Sequence, residues 1–283
     1  MGQYKMNTNK SDKIMEIIFS MTGAITILIL LIITGYILIK GMPHMSLEFL
    51  LTNPLDAGEN GGIFPMIVST VYVSLLAVIF ATPISLFTAI YLNEYNNSNK
   101  ILTVIHFCLD ILTSLPSIVY GLFGLVFFVE YLHLGWCILS AALTLAIMII
   151  PTITRTTEVS IARINKNVKE SSMALGASKW QTVKEIIIPS ALPGILTGIL
   201  LGLGRSIQET AVILFTVGSS LFVPFSSFDP GRPLTLHLYI LATEGISLPK
   251  TYATAGILII MIFIITIATN VIIDKYEQKI MGE

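Results

Sequence analysis

The sequence predicts an all-α integral membrane protein with six transmembrane helices and both termini in the cytoplasm. Three observations carry this expectation. Of the 283 residues, 54% are hydrophobic and only 12% charged, against roughly 25% charged in an ordinary soluble domain. The apolar residues, which give a mean hydropathy of +0.83, come in runs of about 20 or more, the length a helix needs to cross the hydrocarbon core. Lysine and arginine are shared unevenly between the segments that join those runs, which fixes the sidedness.

The first run, Ile14 to Ile39, follows Lys5, Lys10 and Lys13 as the core of a secretory leader would. It is too long for that role and no small-residue cleavage pattern follows, so it is expected to remain as an anchor. The other five runs are Phe64 to Leu92, Ile101 to Val129, Trp136 to Thr154, Ser190 to Val217 and Thr251 to Ile273. All should be helical, because an open strand edge has no hydrogen-bond partner in lipid. Pro83 and Pro116 fall inside the second and third runs and should kink or locally unwind them. Residues 1–13 and 274–283 are then cytoplasmic tails flanking one membrane domain, 14–273, with a long loop at 155–189. Twelve of the 16 lysines and arginines fall in the tails, the second loop and this fourth loop; only Lys40, Arg232 and Lys250 fall opposite, and Arg205 lies within a span.

No segment outside the spans is much longer than about 30 residues, too short to fold alone. Any soluble catalytic engine must therefore be another polypeptide. It holds no G-x-x-x-x-G-K-[ST] phosphate loop, H-E-x-x-H zinc helix or G-x-S-x-G elbow, so no catalytic residues are assigned. A net charge of -1 without a basic patch gives no reason to expect nucleic acid. Cys108 and Cys137 read as small hydrophobes, and His44, His106 and His133 have no metal-ligand spacing, so no metal is expected.

The loop sequence Asn165 to Pro189, NKNVKESSMALGASKWQTVKEIIIP, predicts two short helices joined at a glycine. Asn167 with Glu170, and Ser178 with Gln181, carry the spacing of capping boxes, and Gly176 suits a left-handed turn. By composition this is also a basic amphipathic connector that could rest on anionic lipid headgroups. Its spacing is more specific. Glu170, Ser171 and Ser172, then Gly176, Ile186, Ile188 and Pro189 resemble the E-A-A-x3-G-x9-I-x-L-P loop of ABC importer permeases, with serines for the two alanines and isoleucine for leucine. The resemblance implies that Glu170, Ser171, Ser172, Leu175 and Gly176 couple the chain to a separate ATPase, which binds the ATP; this chain needs no cofactor of its own.

In the fifth span Arg205 and Glu209 interrupt an apolar run, where a charge costs about 2.5–3.5 kcal/mol on insertion scales. At a spacing of four they share a helix face. Either they neutralise each other as a structural pair, or Arg205 offers a weak anion site whose charge Glu209 tempers. Ser190, Gly194, Gly198, Gly202 and Ser206 form a stripe of small residues, a packing seam that would suit a helix at a junction of two subunits. Asp110 in the third span reads as a cap or brace for the kinked helix, or as a group that lines the path.

Four stretches make the resemblance narrower: GGIFPMIVSTVY (61–72), LPSIVYGLFG (115–124), WQTVKEIIIPSALPGILTG (180–198) and GRSIQETAVILFT (204–216). They are similar to the A-type membrane subunit of the phosphate-specific ABC importer, a permease of the type I architecture. That resemblance implies import of inorganic phosphate, with Arg205, Glu209 and Arg155 as the charged groups of the path. It also implies a heterodimer with a second, C-type permease, two ATPase subunits, an extracytoplasmic phosphate-binding protein and a place in the bacterial inner membrane. Val212 stands where the family usually has proline. Permeases for molybdate or sulfate share the loop and are the alternative substrates. An ATP-independent anion transporter would be expected to show repeated halves with matching interrupted spans, and none are seen. The charge count is checked by fusions at the C-terminus: a fluorescent protein should fluoresce and alkaline phosphatase should be inactive, and the reverse pattern would contradict the sidedness.

Overall fold

A computed structural model describes residues 10–281. Its helices are α1 (Lys10–Gly41), α2 (Leu47–Leu51), α3 (Phe64–Ile90), α4 (Asn99–Ser114), α5 (Ser117–Gly124), α6 (Ile138–Ala162), α7 (Lys166–Ala174), α8 (Lys179–Thr182), α9 (Ile188–Gln208), α10 (Ala211–Thr216), α11 (Leu234–Thr243) and α12 (Leu248–Met281). A two-residue hairpin, β1 (Pro54–Leu55) with β2 (Asn60–Gly61), lies between the first two spans. Among the described residues, five helical stretches are long and apolar enough to cross a membrane, and Asn99–Ser114 with Ser117–Tyr131, bent by 97° at the break, makes six if the pair is counted as one span. Of the expected tails, residues 1–9 and 282–283, Lys5 among them, lie outside the described residues. The last helix continues past residue 273 to Met281.

The spans are layered by burial. The apolar window of α6 is 67% buried and that of the first span 0%, so α6 is the centre of the bundle and α1 faces outward over most of its length. The core around α6 is built from Val73, Ala77 and Ala81 of α3, Leu145, Ile149 and Ile153 of α6, and Val212 and Ile213 of α10. Small residues bring these helices close. A Cβ on Gly124 would fall against Thr144 and Thr216, and one on Gly121 against the Ala211 carbonyl.

Three expectations are corrected. Pro83 is accommodated in an unbroken helix, whereas Pro116 breaks the third span outright. Leu115 takes the extended conformation (φ -68°, ψ 134°) that a residue before proline prefers, and the Tyr120 hydroxyl donates to the Leu112 carbonyl that the break releases. The fourth span does not end at Thr154 but runs to Ala162, so Arg155 is within it. The fifth span starts earlier and stops earlier than the apolar run: Lys179 to Gln208 is one crossing, with a π-helical turn at Val183–Ile187 joining α8 to α9, and the chain opens at Glu209 before α10.

The small-residue stripe of α9 is occupied by α6 of the same chain. A Cβ on Gly194 would strike Ser160, one on Gly198 would lie 3.1 Å from Thr156 Cβ, and one on Gly202 3.1 Å from Ile153 Cδ1. The stripe is therefore a packing seam within the chain. Replacing Gly194→Leu should lower stability by about 1–3 kcal/mol through overpacking, read as a lower Tm of the purified protein in detergent; an unchanged Tm would contradict this packing.

Candidate functional site

The loop between α6 and α9 folds as its caps dictate. The first cap is Asn165 rather than Asn167: its Oδ1 accepts the Asn167 N–H at 2.9 Å. Gly176 has φ +91° with nothing within 4 Å of a Cβ position, so the backbone conformation alone, not crowding, calls for glycine there. Ser178 and Gln181 form a reciprocal capping box. α7 is held onto α8 by Ser172 and Thr182, whose hydroxyls lie 3.0 Å apart and are buried. Glu170, Ser171 and Gly176 are exposed, and Leu175 is 90% exposed. An open groove of about 490 Å³ beside them is lined by Asn167, Val168, Ser171, Ser172, Leu175 and Ile186. Of the five residues assigned to coupling, Ser172 is therefore the one turned inward.

Arg205 and Glu209 do not neutralise each other as a structural pair, the first of the two readings of their spacing. Among the described residues no salt bridge joins them, because Glu209 (φ -76°, ψ 133°) lies outside the helix that carries Arg205. Its Oε1 instead accepts the N–H groups of Thr210, Ala211 and Val212 at 3.1, 3.0 and 3.4 Å. Glu209 thus caps the new helix, where a carboxylate meets the free N–H groups and the positive end of the dipole. The Glu209 carbonyl, also freed by the break, accepts the Thr235 hydroxyl of α11 at 2.9 Å. Arg205 is left half-buried, lining a cavity of about 390 Å³ between α9 and α12 with Thr197, Gln208, Thr269 and Asn270.

Arg155 lies on α6 in a cluster of charges. Its guanidinium is 2.7 Å from Asp110 Oδ1 and 3.6 Å from Glu158 Oε2, and the other oxygen of Glu158 is 2.7 Å from His106 Nε2. Asp110 of the third span is thereby paired with Arg155 of the fourth. The sequence does not single out Glu158, although its spacing of three from Arg155 is visible there. Arg155 also lines an open cavity of about 790 Å³ with Ser160, Arg163, Ser190, Gly194 and Thr197. Thr197 borders both this cavity and that of Arg205, so the two arginines face successive spaces along α9. Glu209 borders neither.

The segment after α10 is fastened to α3 and within itself. The Leu234 N–H donates to Thr70 Oγ1 at 2.8 Å and Arg232 Nε donates to Ser219 Oγ at 3.0 Å. Arg232 is only 9% exposed; burial lowers its pKa, and Glu244 partly offsets that. Burial, with Arg232 adding to it, pushes the His237 pKa down to about 4. His237 is thus neutral at neutral pH, and its contribution to stability is lost as pH falls below its ordinary value toward 4.

Residues 81–281 match the family of binding-protein-dependent transport system inner membrane components. A probable ABC transporter permease protein of Bacillus subtilis, YqgI, is 34% identical over 282 residues, covering 94% of this chain and 96% of that protein. The phosphate transport system permease protein PstA of Pasteurella multocida is 34% identical over 228 residues, covering 80% of each. Among solved structures, a chain of a bacterial ABC transporter involved in the import of the acidic polysaccharide alginate superposes with a TM-score of 0.67 at 15% identity, covering 94% of this chain and 98% of that one. A chain of the inward-facing MetNI methionine ABC transporter gives 0.62 at 19% identity, covering 74% and 93%. These likenesses establish a type I importer permease fold. The chain belongs to the family of binding-protein-dependent transport system inner membrane components and is a permease subunit of an ABC importer.

Proposed function

We propose that this permease imports inorganic phosphate. The observation that carries the reading is Arg205, a guanidinium in a membrane span that lines a cavity and has no carboxylate within ion-pair distance among the described residues. A half-buried cation in this position favours an anion, and a guanidinium suits the oxygens of a tetrahedral oxyanion. Relatives named as phosphate transport permeases, at 30–34% identity in Xylella fastidiosa and Pasteurella multocida, point to phosphate among the oxyanions; molybdate and sulfate are the alternatives. Arg155, paired with Asp110, would receive the ion in the second cavity, with the hydroxyl of Ser190 as a weak donor. A path built of weak sites lets the ion leave.

In this reading both termini and the α7–α8 loop are cytoplasmic. The chain pairs with a C-type permease, and two ATPase subunits that bind the ATP dock on Glu170, Ser171, Leu175 and Gly176. An extracytoplasmic phosphate-binding protein delivers the ion on the other face. Cells lacking the chain should regain uptake of labelled phosphate, and not of sulfate or molybdate, when supplied with the wild type. Arg205→Ala should reduce that uptake by about tenfold or more, the loss expected from a charged hydrogen bond of roughly 1.5–3 kcal/mol. Gly176→Asp should stay in the membrane without supporting uptake. Recovery of sulfate or molybdate uptake instead would overturn the substrate, and normal uptake by Gly176→Asp would overturn the coupling role of the loop.

A further inference from the structure

We propose that Glu94 and Lys169 form the joint through which movement of the docking loop reaches Arg155, tying ATP use to the passage of the anion. This rests on the reading that the loop docks an ATPase and that Arg155 lines the path.

Lys169 stands on α7 immediately before Glu170, and Glu94 lies in the π-helical turn, Tyr91–Tyr95, that ends the second span. Lys169 Nζ is 2.5 Å from Glu94 Oε1, and the two side chains are only 16% and 11% exposed. Such a pair resists separation, because removing either charge strands the other in a poorly solvated place. The second arm of the loop grips the next residue: Lys179 Nζ of α8 lies 4.9 Å from the centre of the Tyr95 ring. Both arms are thereby fastened to adjacent residues at the end of one span.

From that end the contacts lead inward. Asn93 Nδ2 donates to the Ala89 carbonyl at 3.0 Å and to the Glu158 carbonyl of α6 at 3.4 Å. The Glu158 carboxylate meets His106 and Arg155, and Arg155 meets Asp110 of the third span. The fifth span needs no such joint, since α8 runs through its π turn into α9 and carries loop movement to Arg205 along one helix. The fourth span joins α7 covalently through its own last turn, and the Glu94–Lys169 pair closes the circuit from the other side. A charged pair suits this task because it holds one register, whereas an apolar contact could slide.

The test uses the complete transporter in liposomes, with ATP hydrolysed and anion imported measured together. Glu94→Lys and Lys169→Glu should each cut import by about tenfold, the scale of breaking a buried pair. The double variant should recover most of it, since the pair is restored with its charges exchanged. Glu94→Gln, which keeps the size and removes the charge, should raise the ATP hydrolysed per ion imported by about fivefold or more. A purely structural role would lower import and hydrolysis together and leave that ratio unchanged. A double variant no better than the single ones, or an unchanged ratio in Glu94→Gln, overturns the joint. A wrong substrate would show separately, as import of a different oxyanion by the wild-type complex, and would leave these comparisons intact.

Discussion

Hydrocarbon offers no partner for a backbone N–H or C=O, so each group released where a membrane helix breaks has to be satisfied within the protein. One of the described spans is broken in this way and another ends at such a point, and the surroundings of both follow from that constraint. At Pro116 the released Leu112 carbonyl takes the Tyr120 hydroxyl. At Glu209 the first N–H groups of α10 take the glutamate's own carboxylate, and its carbonyl takes Thr235. The two broken pieces also pack on one another: α5 lies against α10, where Gly121 and Gly124 remove the side chains that would hold them apart. Both breaks therefore share one buried region beside α6.

The second break decides the electrostatics around Arg205. Were the fifth span continuous, Glu209 would lie one turn from Arg205 and cancel much of its charge. Because the carboxylate is engaged by backbone donors, Arg205 keeps its charge toward the cavity. Arg155, in contrast, is neutralised by Asp110 and approached by Glu158. Among the described residues, Arg205 is thus a guanidinium without an acidic partner within ion-pair distance, whereas Arg155 has two carboxylates beside it.

Much of this was legible in the sequence, for physical reasons that differ from residue to residue. The number of crossings followed from run length, and the loop from glycine and capping positions whose backbone needs are local. The capping box of Ser178 and Gln181 and the left-handed Gly176 are of that kind. Where apolarity was the only signal, the boundaries were misplaced: the fifth run reads as uninterrupted through Val217, because a break satisfied by a neighbouring carboxylate leaves no change in composition. The apolar α11 was hidden for the same reason, being too short to count as a crossing. The helix spacing of Arg205 and Glu209 suggests a pair only if the helix continues through both. Contacts between distant elements, such as Glu94 with Lys169 or Arg155 with Asp110, have no local signature at all.

Glu209 acts through its oxygen as a cap on α10, and no ion pair joins it to Arg205 among the described residues. The most direct measurement is phosphate uptake by the Glu209→Gln and Glu209→Ala variants at equal membrane abundance. Glutamine keeps an acceptor oxygen of the same reach, so Glu209→Gln should transport within about threefold of wild type while Glu209→Ala, which strips the cap from α10, should lose most activity. If Glu209→Gln fails as completely as Glu209→Ala, the charge is what matters, and a direct pairing of Glu209 with Arg205 would replace the capping role.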